Sequence, residues 1–310
     1  MMHKPLVTII VPFFNPNDFF IECLESLESQ DYERTEVVLV NDGSSEEFVR
    51  IAETFTEKNE GWVLVSQENK GVASARQAGL LASTGDLIIH ADSDDVVPQG
   101  ALSTLVDKQI ETSADIVLGS YLVRHKRTDS VVAAPVSITH QMFLKGLLLG
   151  EFHGSLCNKL LRRSLYEGLS FNCNMNYMED KLMLARILQK SSYKISCVSE
   201  VVYIYRQHGE STTACLGLES IESARKIDDL LRELYFHALD SDTLRKMALQ
   251  SRLFQISQCA RNGVNVFDKS DEALLSNKEI PVKRRFVVWL VKYRLTACVK
   301  WYYQFKKIIM

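Results

Sequence analysis

Among the seven cysteines of this 310-residue chain, at 23, 157, 173, 197, 215, 259 and 298, there is no CxxC pair. That excludes a zinc ribbon and a disulfide framework, and it points to a reducing compartment. There is no GxGxxG and no GxxxxGK[ST], so neither a dinucleotide fingerprint nor a P-loop supplies a phosphate site. Uncharged apolar runs all fall well short of the ~20 residues that span a bilayer. The first twenty residues lack a basic segment followed by an apolar one, so no signal peptide is expected. Surplus positive charge is missing too: the formal net charge is −3, against a generic nucleic-acid binder. What remains is an ordinary globular composition, 46% apolar and 24% charged, with no internal repeat and a length that suggests about two domains.

The N-terminal third alternates between two periodicities. Short apolar runs at Val7–Val11, Val37–Val40, Trp62–Val65 and Leu87–Ile89 read as strands covered on both faces, the habit of a parallel sheet. Helical patterns lie between them. Asn15-Pro16 offers an N-cap with proline at the first helical position, and Ser44 and Glu47 have capping-box spacing. Such alternation implies βαβ units with right-handed crossovers. Further on, helices are expected at Pro98–Glu111, Thr139–Leu149 and Lys181–Leu188. Strands are expected at Asp115–Leu118 and Val201–Tyr205, with a hairpin or loop over Ser120–Pro135. Beyond about Gly217 only helical periodicity continues, over Ser220–Ala238, Leu244–Ala260 and Lys283–Lys307. A boundary is placed near 216, separating an α/β domain (1–216) from a helical region (217–310).

Ligands of open parallel sheets bind outside the carboxyl ends of the strands, and carboxylates collect at that edge here. The second apolar run leads into Asn41-Asp42-Gly43-Ser44 and the fourth into Asp92-Ser93-Asp94-Asp95. Asp92 and Asp94 have the spacing that turns two carboxylates to one side of an extended segment. They could share a magnesium or manganese ion with a diphosphate, or form a solvated turn ahead of the next helix. Asp42 could accept a hydrogen bond from the N3–H of a uracil or thymine ring, or serve as a turn residue before Gly43 and a cap for the next helix. Asn69-Lys70-Gly71 precedes a helix carrying Arg76, which either faces a base or diphosphate or is an exposed helical arginine. Met178-Glu179-Asp180 opens another helix, where Asp180 is either a general base or a partner for the helix dipole. His208, in the loop that follows Arg206, either completes a metal shell or is an ordinary loop histidine.

The stretches VTIIVPFFN, VVLVNDGSSE, NKGVASARQAGL, STGDLIIHADSDD, NKLLRRSLY, YMEDKLML and YRQHGESTT, over roughly residues 6–213, resemble the inverting family 2 glycosyltransferases, in the family's order. The likeness is to bacterial members that build capsule, exopolysaccharide, lipopolysaccharide or wall polymers. It implies a GT-A fold, an α/β Rossmann-like, mostly parallel sheet flanked by helices, for 1–216, with a helical C-terminal region. It implies an enzyme moving a sugar from a UDP-sugar donor to a hydroxyl of a glycan or lipid-linked acceptor, with a Mn or Mg cation. By that resemblance Asp42 holds the uracil, Asp92 contacts the nucleoside, and Asp94 ligates the metal with help from His208. Asp180 is the base, and Asn15, Asn69, Arg76, Lys159 and Glu179 join the nucleotide-sugar set. Cys157 stands where relatives often carry Trp, and Trp62 and Tyr177 are candidates for sugar stacking.

Charge is unevenly spread. Lys283–Met310 holds eight Lys or Arg and no acid, leaving 28 basic and 39 acidic residues elsewhere. With Phe286, Trp289, Tyr293, Trp301, Tyr302, Tyr303 and Phe305 in the same segment, the tail (283–310) reads as a helix lying on an anionic membrane or as a helix packing on the protein or a second copy. The first reading places the chain in the cytoplasm, peripheral on the inner face of the cell membrane. Two other function classes fit the sequence less well. A nucleotidyltransferase calls for a glycine-rich basic loop after the first strand, where this chain has PFFNPND. A non-catalytic nucleotide-sugar-binding or scaffold subunit of a polysaccharide assembly complex would suit a chain lacking the acids, yet Asp42, Asp92, Asp94 and Asp180 are all present.

Overall fold

The computed structural model describes residues 4–125, 128–175, 177–207 and 216–309, with side chains except at 302 and 304–309. The chain divides into two compact units, Met1–Gln207 and His208–Met310. In the first, β1 (Val7–Phe13), β2 (Thr35–Asn41), β3 (Trp62–Ser66) and β4 (Leu87–His90) run parallel in the order β3-β2-β1-β4. β5 (Ile116–Arg124), β6 (Asp129–Val132) and β7 (Lys159–Arg162) extend the sheet. β7 is inserted antiparallel between β4 and β5, and β8 (Ile195–Arg206) pairs in parallel with β5. The sheet is therefore mostly parallel. Its flanking helices are α1 (Phe19–Glu28), α2 (Glu46–Lys58), α3 (Val72–Ala82), α4 (Ala101–Thr112), α5 (His140–Leu148) and α6 (Glu179–Lys190).

Most of the apolar runs are strands covered on both faces; the edge strand β3 is the exception, with Val63 43% exposed. Every residue of β1 and β4 is buried, as are Val37–Asn41 of β2. α3 approaches this layer closely through Gly79, where a Cβ would lie 2.4 Å from Cγ2 of Ile10. Three residues earlier on the same helix, Arg76 is thereby held against the sheet.

Several local expectations are corrected. The Asn15-Pro16 cap does not form. α1 begins at Phe19 after Asp18, and Asn15 takes a left-handed φ of 39° to carry the chain out of β1. The Ser44/Glu47 capping box is also absent, because the Ser44 hydroxyl instead accepts from the Asn15 amide at 2.9 Å and α2 is preceded by Ser45. α4 starts after Gly100 rather than at Pro98. β7 was not foreseen as a strand, since its four residues are too short to show a period.

In the second unit α7 (Leu218–Leu234) and α8 (Ser241–Arg261) precede the short α9 (Glu272–Ser276), α10 (Val282–Lys292) and α11 (Thr296–Ile309). Leu253, Ile256 and Ala260 of α8, Val287, Val288, Leu290 and Val291 of α10, and Val299 of α11 form its core. The expected continuous helix over 283–307 is broken. Arg294 adopts φ 59°, its amide donates to Val291 O at 2.9 Å, and the Leu295 amide donates to Leu290 O at 2.8 Å. This is a Schellman ending with arginine where glycine is usual. No described helix is long and apolar enough to cross a membrane.

Replacing Gly79 by valine forces side-chain atoms into the space of Ile10. The expected cost is about 1–3 kcal/mol, read as a lower urea midpoint at unchanged m-value.

Candidate active site

The Asp42 carboxylate, just past β2, is buried and is already used as a clasp. Oδ1 accepts from the Lys70 amide at 2.9 Å and from Gln67 Nε2 at 2.6 Å, and Oδ2 accepts from the Gly71 amide at 2.8 Å. These bonds fix the turn that starts α3. They use three of roughly four lone-pair directions and leave one for a ligand N–H. Gly43, at φ 83°, lets that turn come close: a Cβ there would lie 2.9 Å from the Asn69 nitrogen. Asn69 itself is exposed. Asn15 joins the same edge, its Oδ1 accepting from the Ser45 amide at 2.8 Å.

At the centre is Arg76, only 3% exposed. One guanidinium nitrogen donates to Asp180 Oδ1 at 2.8 Å and to Glu179 Oε1, and the other to Asp92 Oδ1 at 2.7 Å. Burial works against its charge, but Asp180, Glu179 and Asp92 outweigh it and hold the guanidinium above its ordinary pKa. The expectation that this arginine faces a nucleotide, or lies exposed, is replaced by a buried hub for three acids.

One positive charge against three negative ones leaves an excess that the interior cannot hold, so a proton is retained. Burial, aided by the Asp180 charge, pushes Glu179 up to about 8. Asp180 goes the other way. Burial opposes its charge, but Arg76 and a hydrogen bond from the Glu179 carboxyl hold it below the ordinary carboxylate range. Exposure separates the three acids: 36% of the Asp92 side chain is open, 15% of Asp180 and 7% of Glu179. Asp180 is therefore ionised and reachable, while Glu179 is neutral and enclosed. Met178, at a left-handed φ of 65°, sets the turn that aims this pair.

The turn after β4 is pinned from β8. The Tyr203 hydroxyl donates to Asp95 Oδ2 at 2.7 Å and accepts from the Asp92 amide at 3.0 Å, while Asp95 Oδ1 accepts from the Arg206 amide at 2.7 Å. Burial, with Asp92 and Asp94 adding, raises Asp95 to about 8. Arg206 is anchored in turn by Glu22 and by the ring of Phe19, 4.5 Å away. Asp94 sits within this turn and is partly open. Among the described residues no three His, Cys, Asp or Glu side chains group to hold a metal ion, and Asp92 Oδ1 is committed to Arg76. One hard carboxylate oxygen from Asp94 fits a magnesium- or manganese-type ion whose other ligands come largely from a diphosphate. His208 lies outside the described residues.

Lys159, at the start of β7, is buried. Its Nζ donates to Ser155 O at 2.5 Å and Asn158 Oδ1 at 2.7 Å, and burial lowers it to about 8. Cys157 is buried in the main core. Trp62 stacks on Phe55 with centroids 5.9 Å apart, at the start of β3, the edge opposite the acids. Tyr177 is half-buried two residues before Glu179. The sequence places Asp95 in the acidic cluster without giving it a role of its own, and it does not single out His90 or Tyr203. His90, the last residue of β4, is fully buried, with Nδ1 unpartnered, and is held neutral by burial and by Arg76, which lower it to about 3. A histidine closing an all-apolar strand was the available signal.

The profile of Glycosyl transferase family 2 matches residues 8–170. The glycosyltransferase GlyA of Streptococcus pneumoniae is 30% identical over 222 residues, covering 66% of this chain but only 31% of its own length. In fold, S. aureus TarS 1–349 in complex with UDP-GlcNAc matches with a TM-score of 0.66 at 18% identity, over 96% of this chain and 91% of that one. The mannosyltransferase PcManGT from Pyrobaculum calidifontis, in complex with GDP-Man and Mn2+, matches with a TM-score of 0.55 at 20% identity, over 96% and 87%.

Arg76→Met leaves three acids without their counter-charge and is expected to cost about 3–5 kcal/mol, measured by chemical unfolding. Glu179 keeps its proton up to about pH 8 in the fold but only to 4.5 when unfolded. Its contribution is thus complete below pH 4.5 and is lost as pH rises to about 8. Glu179→Gln should reduce the decline in stability across that window, read from urea midpoints at several pH values.

Proposed function

Because the chain belongs to glycosyl transferase family 2, we propose that it is an inverting glycosyltransferase. In this reading it moves a sugar from a UDP-sugar to a hydroxyl of a glycan or lipid-linked acceptor during synthesis of a surface polysaccharide, at the inner face of the cell membrane. The observation that carries the reading is the ionised Asp180, bound to Arg76 beside Asp92 at the carboxyl edge of the sheet. In this reading Asp42, Asn15 and Asn69 receive the uridine, a role supported by the one acceptor direction that Asp42 keeps for a ring N–H.

Asp180 takes the proton of the acceptor hydroxyl while that oxygen attacks the anomeric carbon from the face opposite the diphosphate. The new C–O bond forms as the bond to UDP breaks, so the anomeric centre inverts. Such base assistance contributes about 10²–10⁴-fold. Arg76 orients the carboxylate but also depresses its basicity, so the base works well only as the proton is already leaving. Glu179 stays neutral and spares the donor a further negative charge. Asp94 would hold a Mn or Mg ion together with the diphosphate, and the ion would supply charge stabilisation for the departing nucleotide when bound.

Thermal unfolding against UDP, GDP, dTDP and ADP, with and without manganese, tests the donor. A saturating ligand at ~100 times its Kd adds ~2.7 kcal/mol, and each kcal/mol moves the midpoint by roughly 2–4 °C. The expected result is a manganese-dependent shift with UDP alone. No shift with any nucleotide favours the scaffold reading. Asp180→Asn should keep the UDP shift and lose turnover by ~10²–10⁴-fold; equal losses of binding and rate argue against the assigned role.

A further inference from the structure

The aromatic residues of the C-terminal segment divide into two groups once folded. Tyr303 is turned inward, its ring 3.6 Å from the Arg261 guanidinium carbon. Phe286, Trp289 and Tyr293 of α10 are turned outward, 54%, 43% and 57% exposed, next to Val282 at 70%. These four positions recur at i, i+4, i+7 and i+11 and fall within about 60° around the helix axis. The opposite side of α10, Val287, Val288 and Val291, is buried in the core of this unit. The rings also support one another. Phe286 and Trp289 stack at 5.9 Å with an interplanar angle of 9°, and Trp289 and Tyr293 lie 5.0 Å apart.

Charge borders this stripe. Lys283 and Arg294 are exposed at the two ends of α10, and Lys300 and Trp301 are exposed on α11. The whole segment from 283 has no acid, although the rest of the chain is acidic. A stripe of three large rings between cations is unfavourable against water. It fits the boundary between acyl chains and anionic headgroups, where aromatic rings and long basic side chains each find their preferred medium.

We propose that the exposed face of α10 is a docking surface for an anionic lipid bilayer. Phe286, Trp289 and Tyr293 enter the headgroup layer, while Lys283, Arg294 and Lys300 meet lipid phosphates. The helix lies in the membrane plane and does not cross it. This rests on α10 and α11 alone and stands or falls separately from the sugar-transfer reading.

The test is co-sedimentation of the full chain with vesicles of phosphatidylcholine, with and without phosphatidylglycerol. The wild type should bind the anionic vesicles and lose most binding between about 0.1 M and about 1 M salt, as screening shortens from ~10 Å to ~3 Å. Phe286→Ser/Trp289→Ser/Tyr293→Ser should weaken binding at least about tenfold, and Lys283→Glu/Lys300→Glu should abolish the preference for anionic lipid. Any UDP-induced shift should stay unchanged in both variants, and the thermal midpoint of Lys283→Glu/Lys300→Glu, at two exposed lysines, should match the wild type. Equal binding to neutral vesicles, or full binding by the triple variant, overturns the proposal. A wild type that is dimeric without lipid and ignores vesicles, with a monomeric triple variant, overturns it in favour of a second copy on this face.

Discussion

The guanidinium of Arg76 bridges Asp92, Glu179 and Asp180 and lets them occupy one small buried volume. These acids come from two distant parts of the chain, the turn after β4 and the first turn of α6. Unneutralised, they would repel across a poorly screened interior and drive both segments apart. With the arginine present, burial keeps a proton on Glu179 and raises Asp92 as well, which relieves the excess negative charge. The charge state of the cluster then follows from its geometry. The enclosed acid is neutral, and the reachable one is ionised.

Two other carboxylates do comparable work at the same edge. Asp42 closes the turn into α3, and Asp95 fastens the β4 turn to β8 through Tyr203 and the Arg206 amide. Both orient neighbours more than they face solvent. Acids at this edge thus fall into those that are buried and shape the site and those that stay partly exposed, Asp94 and Asp92 among them. That division matters for reading substitutions: loss of activity at Asp42 or Asp95 follows from a displaced loop as readily as from a lost contact. Gly79, three residues beyond Arg76, lets α3 lie close against β1 and β2.

Much of this was legible in the chain. Doubly covered strands announce themselves as short continuous apolar runs, so β1, β2 and β4 followed from hydrophobicity alone, while the edge strand β3 shows such a run without the double cover. Asp42, Asp92, Asp94 and Asp180 stood out because carboxylates at strand ends or helix starts are chemically conspicuous. β7 was not legible, because four residues carry no period. The break between α10 and α11 was hidden as well, since arginine at 294 occupies a conformation that glycine usually signals.

Local sequence therefore determined the element types and the edge at which chemistry gathers, since both depend on neighbours a few residues apart. Only the tertiary structure decided what each polar group is for. Arg76 was equally consistent with an exposed helix face, and its role appeared when residues 16 and over 100 positions away closed on it. His90, Asp95 and Tyr203 likewise acquired meaning through partners distant in the chain. Charge pairing and burial are properties of three-dimensional proximity, and no spacing in one dimension encodes them.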